Sequence, residues 1–382
     1  MGKFEFLNNN RTKKAAFKQN IMASGFDNNP FLKSDATYSN PFENKTTVNQ
    51  NPFSPSAPQT AQLKKAPIQR YELEGPFNKN NPVHEVLTLM TIKKALEGIA
   101  AEKRGGLLGD VPESALPKES SKKAHNLKPE KIDRKAQQFV RGVIWPDDPK
   151  GYLFDDPHYM ENYSSGLMWY EEFDVDEKDD KKALIARSHY GDLQFFHAMA
   201  SKDGEKPEET KEKILKWAKF LTQIANGELS GDTKVKDHAY ANELFPKHGD
   251  FTIKKILGYD KLTDVEVRQR AAGALLHLIQ DSHAEGHTGR DKDGNIEQFR
   301  SYEHQDHGKH GEKDGWAKGK DLGERIKNTP GAADAIAKGA EVLKMLDQGN
   351  PTEDVIKYLD NEIFKLSKDA KKSGPGDEYK KH

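Results

Sequence analysis

The segment Leu276–Thr288, LHLIQDSHAEGHT, carries the chemistry most plainly. It holds His277, Asp281, His283 and His287 within eleven residues. His277 and Asp281 are four apart, so a helix places them on one face. His287 follows Gly286, where the helix is expected to end and the chain to turn back. An imidazole and a carboxylate one turn apart, with a further imidazole just beyond, is a way to hold a transition metal. Both groups are good zinc donors. His283 falls off the His277 face and is expected to be outer-shell or solvent-facing. Glu285 is a candidate to orient a ligand imidazole.

Other residues extend this set. His84 lies on an expected helix, and Asp147 lies in the turn Trp145-Pro146-Asp147, with Asp148 as its neighbouring alternative. His189 lies in Arg187-Ser188-His189-Tyr190, with His197 as the alternative further along. His310 and Asp314 are again four apart, with His304 and His307 as rivals of His310 in the same crowded segment. Two His-x-x-x-Asp pairs with separate His and Asp residues can supply more than one metal centre. Closely spaced divalent ions suit phosphoester hydrolysis. His158, His238 and His248 carry no motif and are expected at the surface.

The ordered set resembles the metal-ligand order of bacterial zinc-dependent phospholipases C of the lecithinase type. It is also similar to the related single-strand-specific zinc nucleases. His277-x3-Asp281-x5-His287 matches the family spacing. Ser188-His189-Tyr190 looks like the phospholipase Ser-His-Phe element, and Trp145-Pro146-Asp147 like the aromatic-x-Asp element of both branches. The resemblance covers roughly residues 80–320. It implies an all-α fold and a cofactor of two or three Zn2+ ions. It implies that Asp147, His189, His277 and Asp281 hold one zinc and that His287, His310 and Asp314 hold a second. His84 would help hold a third, with Asp281 bridging two metals and Asp147 as catalytic general base. In the family an N-terminal tryptophan completes the third site. Here the stretch before His84 is Glu74-Gly75-Pro76-Phe77, and the first tryptophan is Trp145.

The elements that must position these residues read as helices. The spacing predicts helices opening at Pro82, over 129–142, Leu184–Met199, Glu208–Ile224, Phe251–Ile256, Thr263–His283, 331–347 and 352–367. Gly-, Pro- and Lys-containing sequence over 105–128 reads as loop, and 150–182 as irregular. The aromatic, acidic run Trp169–Phe173 is a candidate cleft lining. No alternating run is long enough for a strand. The organisation expected is a disordered Asn/Pro-rich tail over 1–70, an all-α hydrolase domain over 71–370, and a polar C-terminal tail over 371–382. The tail carries Asn-Pro-Phe three times at eleven-residue spacing, ending at Phe31, Phe42 and Phe53. Such repeats fit a docking or export tag.

Composition narrows the function classes. The 382 residues carry 60 basic and 61 acidic side chains, a formal net charge of -1, so no basic excess points to nucleic acid. There is no cysteine, which excludes thiolate metal sites, disulfides and a thiol nucleophile. The first residues lack an apolar core segment, so no conventional secretory signal is expected, and no stretch approaches a transmembrane span. The leading expectation is a zinc-dependent phospholipase C acting on a phospholipid or membrane surface. As a toxin-like effector it would be exported by a specialised secretion or injection machinery, or otherwise be cytoplasmic. The alternatives are a single-strand zinc nuclease and a non-catalytic helical protein with a structural metal site.

Overall fold

The computed structural model describes residues 82–97, 99–109, 111–122, 132–147, 184–258, 260–306, 309–310 and 315–380. All lie within residues 67–382, one unit of the chain. The tail with its three repeats, the run Trp169–Phe173, His158, His307, Asp148 and Asp314 lie outside the described residues.

The centre of the fold is a helix whose sequence starts and buries it unambiguously. Thr263 caps its N-terminus in a reciprocal box with Glu266, worth about 1 kcal/mol. From Ala271 to Ser282 every residue is buried. Around this helix pack four others: Val83–Leu96 (α1), Arg134–Ile144 (α2), Pro207–Asn226 and Ala332–Asp347. In chain order the remaining helices are Leu184–Tyr190 (α3), with Pro207–Asn226 as α4, Ala239–Leu244 (α5) and Ile253–Ile256 (α6). The central helix, Asp264–Ser282, is α7; Leu322–Asn328 is α8, Ala332–Asp347 α9 and Thr352–Tyr358 α10.

α1 is buried nearly all round, with only Lys93 and Lys94 outside the core, as expected of a helix enclosed by neighbours. α2 and α7 cross in near backbone contact. A Cβ on Gly273 would stand 2.1 Å from the Phe139 carbonyl oxygen, and one on Gly142 2.2 Å from that of Arg270. Only two glycines permit this approach. The Trp145 indole fixes the end of α2. It stacks with Trp217 at 6.1 Å and donates to the Ile256 carbonyl at 2.9 Å.

The helical expectation holds, with one addition. A three-stranded sheet is present: Thr288–Arg290 (β1), Ile296–Arg300 (β2) and Leu366–Gly374 (β3). β1 and β2 form an antiparallel hairpin, with Thr288 opposite Phe299. β3 runs parallel to β2, with Ile296 opposite Leu366 and Arg300 opposite Gly374. The helix expected over 352–367 therefore stops early. α10 loosens into a π turn at Leu359–Ile363, and the chain leaves as a strand. Lys371 onward is not a tail: β3 runs to Gly374, and Tyr379 beyond it is buried. The helix expected over Leu184–Met199 is broken into α3 and a 3-10 turn, Gln194–His197. Among the described residues no helix is long and apolar enough to cross a membrane.

Candidate metal centre

Five elements deliver the cluster. α7 supplies His277, Gln280 and Asp281; α1 supplies His84; the turn after α2 supplies Asp147. α3 supplies His189, and the 3-10 turn supplies His197. Asp147 is held where its backbone N–H donates to the Ile144 carbonyl, 3.1 Å. The glycine crossing of α2 and α7 is what brings that turn against α7.

Asp281 is the hub and is 0% exposed. Its Oδ2 lies 3.0 Å from His277 Nε2, 3.1 Å from His197 Nδ1 and 3.6 Å from His287 Nδ1. Its Oδ1 lies 3.4 Å from His84 Nε2. Asp147 faces the same space from the other side. It stands 3.7 Å from His197 Nδ1, 3.8 Å from His189 Nε2 and 3.9 Å from His84 Nε2. His197 Nδ1 and His277 Nε2 are 2.8 Å apart. Donors about 2.0–2.1 Å from one tetrahedral ion stand roughly 3.3 Å from each other. The spacings here bracket that value.

The imidazoles are oriented from behind. His277 Nδ1 donates to the Val143 carbonyl at 2.6 Å, and His84 Nδ1 to Gln280 Oε1 at 2.6 Å. Gln280 is itself fixed by donating Nε2 to Thr88 Oγ1 at 3.0 Å. His287 Nδ1 donates to the His197 carbonyl. His189 Nδ1 meets Ser188 Oγ at 2.8 Å. An outer acceptor on Nδ1 leaves the Nε2 lone pair of a neutral ring to bind an ion. For His277 and His84 that nitrogen faces the carboxylates.

The electrostatics follow from burial and proximity. Burial raises the Asp281 pKa, but the neighbouring His277 and His287 charges, with bonds from His197 and His277, hold it well below the usual carboxylate range. Burial lowers that of His84, yet Asp281, Asp147 and Gln280 outweigh it and raise it overall. Burial pushes His197 down to about 4, with Asp281 and Asp147 offsetting only part. Two carboxylates with four or more imidazoles form a set whose negative charge a cation can balance.

The set fits a metal on one further observation. Both oxygens of Asp147, Oδ1 of Asp281 and Nε2 of His197 are buried without a hydrogen-bond partner among the described residues. Leaving such groups unsatisfied costs about 1–3 kcal/mol each, more when charged. Coordination of an ion to the carboxylate oxygens satisfies them. The residues fall into two buried groups able to hold an ion, His84 with His277 and Asp281, and Asp147 with His189 and His197.

Of the residues expected from the sequence, His84, Asp147, His189, His277, Asp281 and His287 come together. His310 is buried beside them, its ring 5.5 Å from that of His287 and tight against Gly286, where a Cβ would stand 2.8 Å from the ring. Its expected partner Asp314 lies outside the described residues. His283 caps the C-terminus of α7, away from the cluster, with burial holding its pKa well below the ordinary value. Glu285 is exposed. His304 pairs with Asp203 at the surface, 2.7 Å. His238 is no idle surface residue, since its Nδ1 accepts from the Ala241 N–H and caps α5. His248 is buried against Phe251 rather than exposed.

The residue that sequence reasoning missed is His197, which appeared only as a rival to His189. The break at Gly191 turns both rings inward, and they meet at 4.8 Å. Ala198 follows with φ of 54°, a left-handed turn that aims the His197 carbonyl at His287. No family model, curated protein or solved structure matches this chain.

Proposed function

We propose that this chain is a zinc-dependent phosphodiester hydrolase whose substrate is the head-group diester of a phospholipid. The observation that carries the reading is the pair of buried carboxylates ringed by imidazoles, with three carboxylate oxygens that no donor among the described residues satisfies. His84, His277 and Asp281 would hold one ion and Asp147, His189 and His197 another, with His287 and His310 beside them. Bound divalent ions would neutralise phosphate oxygens and make a water more acidic. Asp147 contributes an oxygen that can accept the proton of the attacking water, because neither of its oxygens is engaged by a donor among the described residues. Asp281 keeps the His277 and His197 rings in register. The buried walls exclude bulk water from the reaction.

The purified full chain, loaded with zinc, is tested on phosphatidylcholine vesicles and on single-stranded DNA, with and without chelator. Chelator-sensitive release of the phosphorylated head group is expected. Chelator-resistant activity, or hydrolysis of the DNA alone, refutes the lipid reading. A structural metal site is the second reading, favoured by how little of the cluster reaches solvent, with His84, His277 and Asp281 each 0% exposed. Zinc-dependent stability without hydrolysis of either substrate would establish it.

A further inference from the structure

Beyond His310 the rings of Tyr302 and Tyr379 continue the wall of the centre, 5.6 and 6.1 Å from the His310 ring. Behind Tyr379 stands a cation, Arg300, the last residue of β2. Its backbone N–H donates to the His287 carbonyl at 2.8 Å, which ties it to the cluster. Its guanidinium lies over the Tyr379 ring, 4.6 Å from the centroid. It also lies close to Gly376, where a Cβ would stand 1.6 Å from Nη1. Gly376 has φ of +80°, a left-handed conformation that favours glycine there. The guanidinium thus sits one aromatic ring, Tyr379, beyond His310.

Among the described residues no group accepts a hydrogen bond from the Arg300 side chain, and Nε is buried without a partner. No carboxylate of the described residues stands within ion-pair distance of it. Glu285, Asp377 and Glu378 act on its charge only through space, and Asp377 is engaged by Lys380 at 2.6 Å. Three other arginines of the fold have protein acceptors. Arg270 donates to Gln138 and to the Leu257 carbonyl, Arg268 to the Ala225 carbonyl, and Arg187 to Asp192. A cation–π contact with Tyr379 accounts for the position of the charge but satisfies none of its five N–H donors. A fixed fork of donors matches the paired oxygens of a phosphate or carboxylate.

We propose that Arg300 is an oxyanion-binding residue beside the metal centre, placed to hold a phosphate or carboxylate group of the substrate's head group. The substrate part of this rests on the phosphodiesterase reading; the binding of an oxyanion does not.

The test uses the full chain in two arms. In the first, chelator-treated protein is titrated with inorganic phosphate by calorimetry. R300Q is expected to bind phosphate on the order of ten- to a hundredfold more weakly than the wild type, with R300K between them. Equal binding by wild type and R300Q, or none by the wild type, overturns the proposal. Should R300Q fail to fold, phenylglyoxal labelling of the wild type followed by mass spectrometry replaces it. Phosphate is expected to protect Arg300, and unprotected labelling there overturns the proposal. In the second arm, zinc-loaded protein is given vesicles of phosphatidylserine or of phosphatidylcholine. R300Q is expected to lower the kcat/KM ratio between serine and choline lipids tenfold or more; an unchanged ratio overturns the head-group assignment. Arg300-dependent phosphate binding with no hydrolysis of either lipid refutes the phosphodiesterase reading and supports the oxyanion site.

Discussion

Replacing Asp281 by Asn keeps the shape of the hub and removes its charge. In the wild type this carboxylate meets three imidazole nitrogens within 3.6 Å on Oδ2 and a fourth at 3.4 Å on Oδ1. An ion that binds the folded state stabilises it by RT ln(1 + [L]/Kd), about 4 kcal/mol at a free concentration a thousandfold above Kd. Unfolding a unit of about 300 residues carries an entropy of roughly 0.6 kcal/mol/K, so zinc should raise Tm by about 6 °C. Breaking a buried charge interaction of this kind costs about 3–5 kcal/mol, or more than a hundredfold in affinity. At the same free zinc, D281N retains a gain of about 1 kcal/mol or less, a shift of about 2 °C at most. Thermal unfolding in zinc buffers of fixed free concentration, against a chelated control, reads both. A wild type indifferent to zinc, or a D281N variant that shifts as far as the wild type, refutes the placement of the ion at Asp281.

Three further outcomes follow from the geometry. Gln280→Ala removes the acceptor that fixes His84 Nδ1 and should weaken zinc binding about 10–100-fold by competition with a fluorescent chelator, while the fold is retained. His197→Ala should lower zinc content, measured by mass spectrometry, at least as far as His189→Ala, because His197 Nδ1 approaches Asp281 at 3.1 Å and Asp147 at 3.7 Å while His189 Nε2 stands 3.8 Å from Asp147; the reverse order would restore His189 as the principal ligand. Gly286→Ala drives a methyl group against the His310 ring and should cost about 1–3 kcal/mol in chemical denaturation; an unchanged midpoint would show that the ring moves freely.

The sequence revealed the centre of the site more readily than its rim. α7 was legible because a capping box opens it, an apolar period runs through it, and His277 and Asp281 share one face. Asp147 was legible because an aromatic anchor precedes it, and Trp145 does pin that turn in the core. His197 was obscured by the assumption of one continuous helix from Leu184. Gly191 interrupts that helix, and the two histidines then approach from different elements. The sheet was hidden for two reasons. β1 has three residues, and β3, LSKDAKKSG, is largely polar because the sheet is short and β3 lies at its edge, mostly near solvent. Its pairing is fixed by backbone bonds rather than by an apolar alternation. Arg300 carried no signal at all, since its significance depends on Tyr379 and Gly376, which lie far along the chain.

The enclosure of the ligand set bears on how fast an ion can come and go. Asp281, His84, His277 and His197 are fully buried, whereas Asp147 and His189 keep 2% and 6% of their surface exposed. An ion held on the buried side is therefore expected to exchange more slowly than one held beside Asp147 and His189, where water and substrate can reach it. A chelator would then strip the two positions in sequence, the Asp147 and His189 side first.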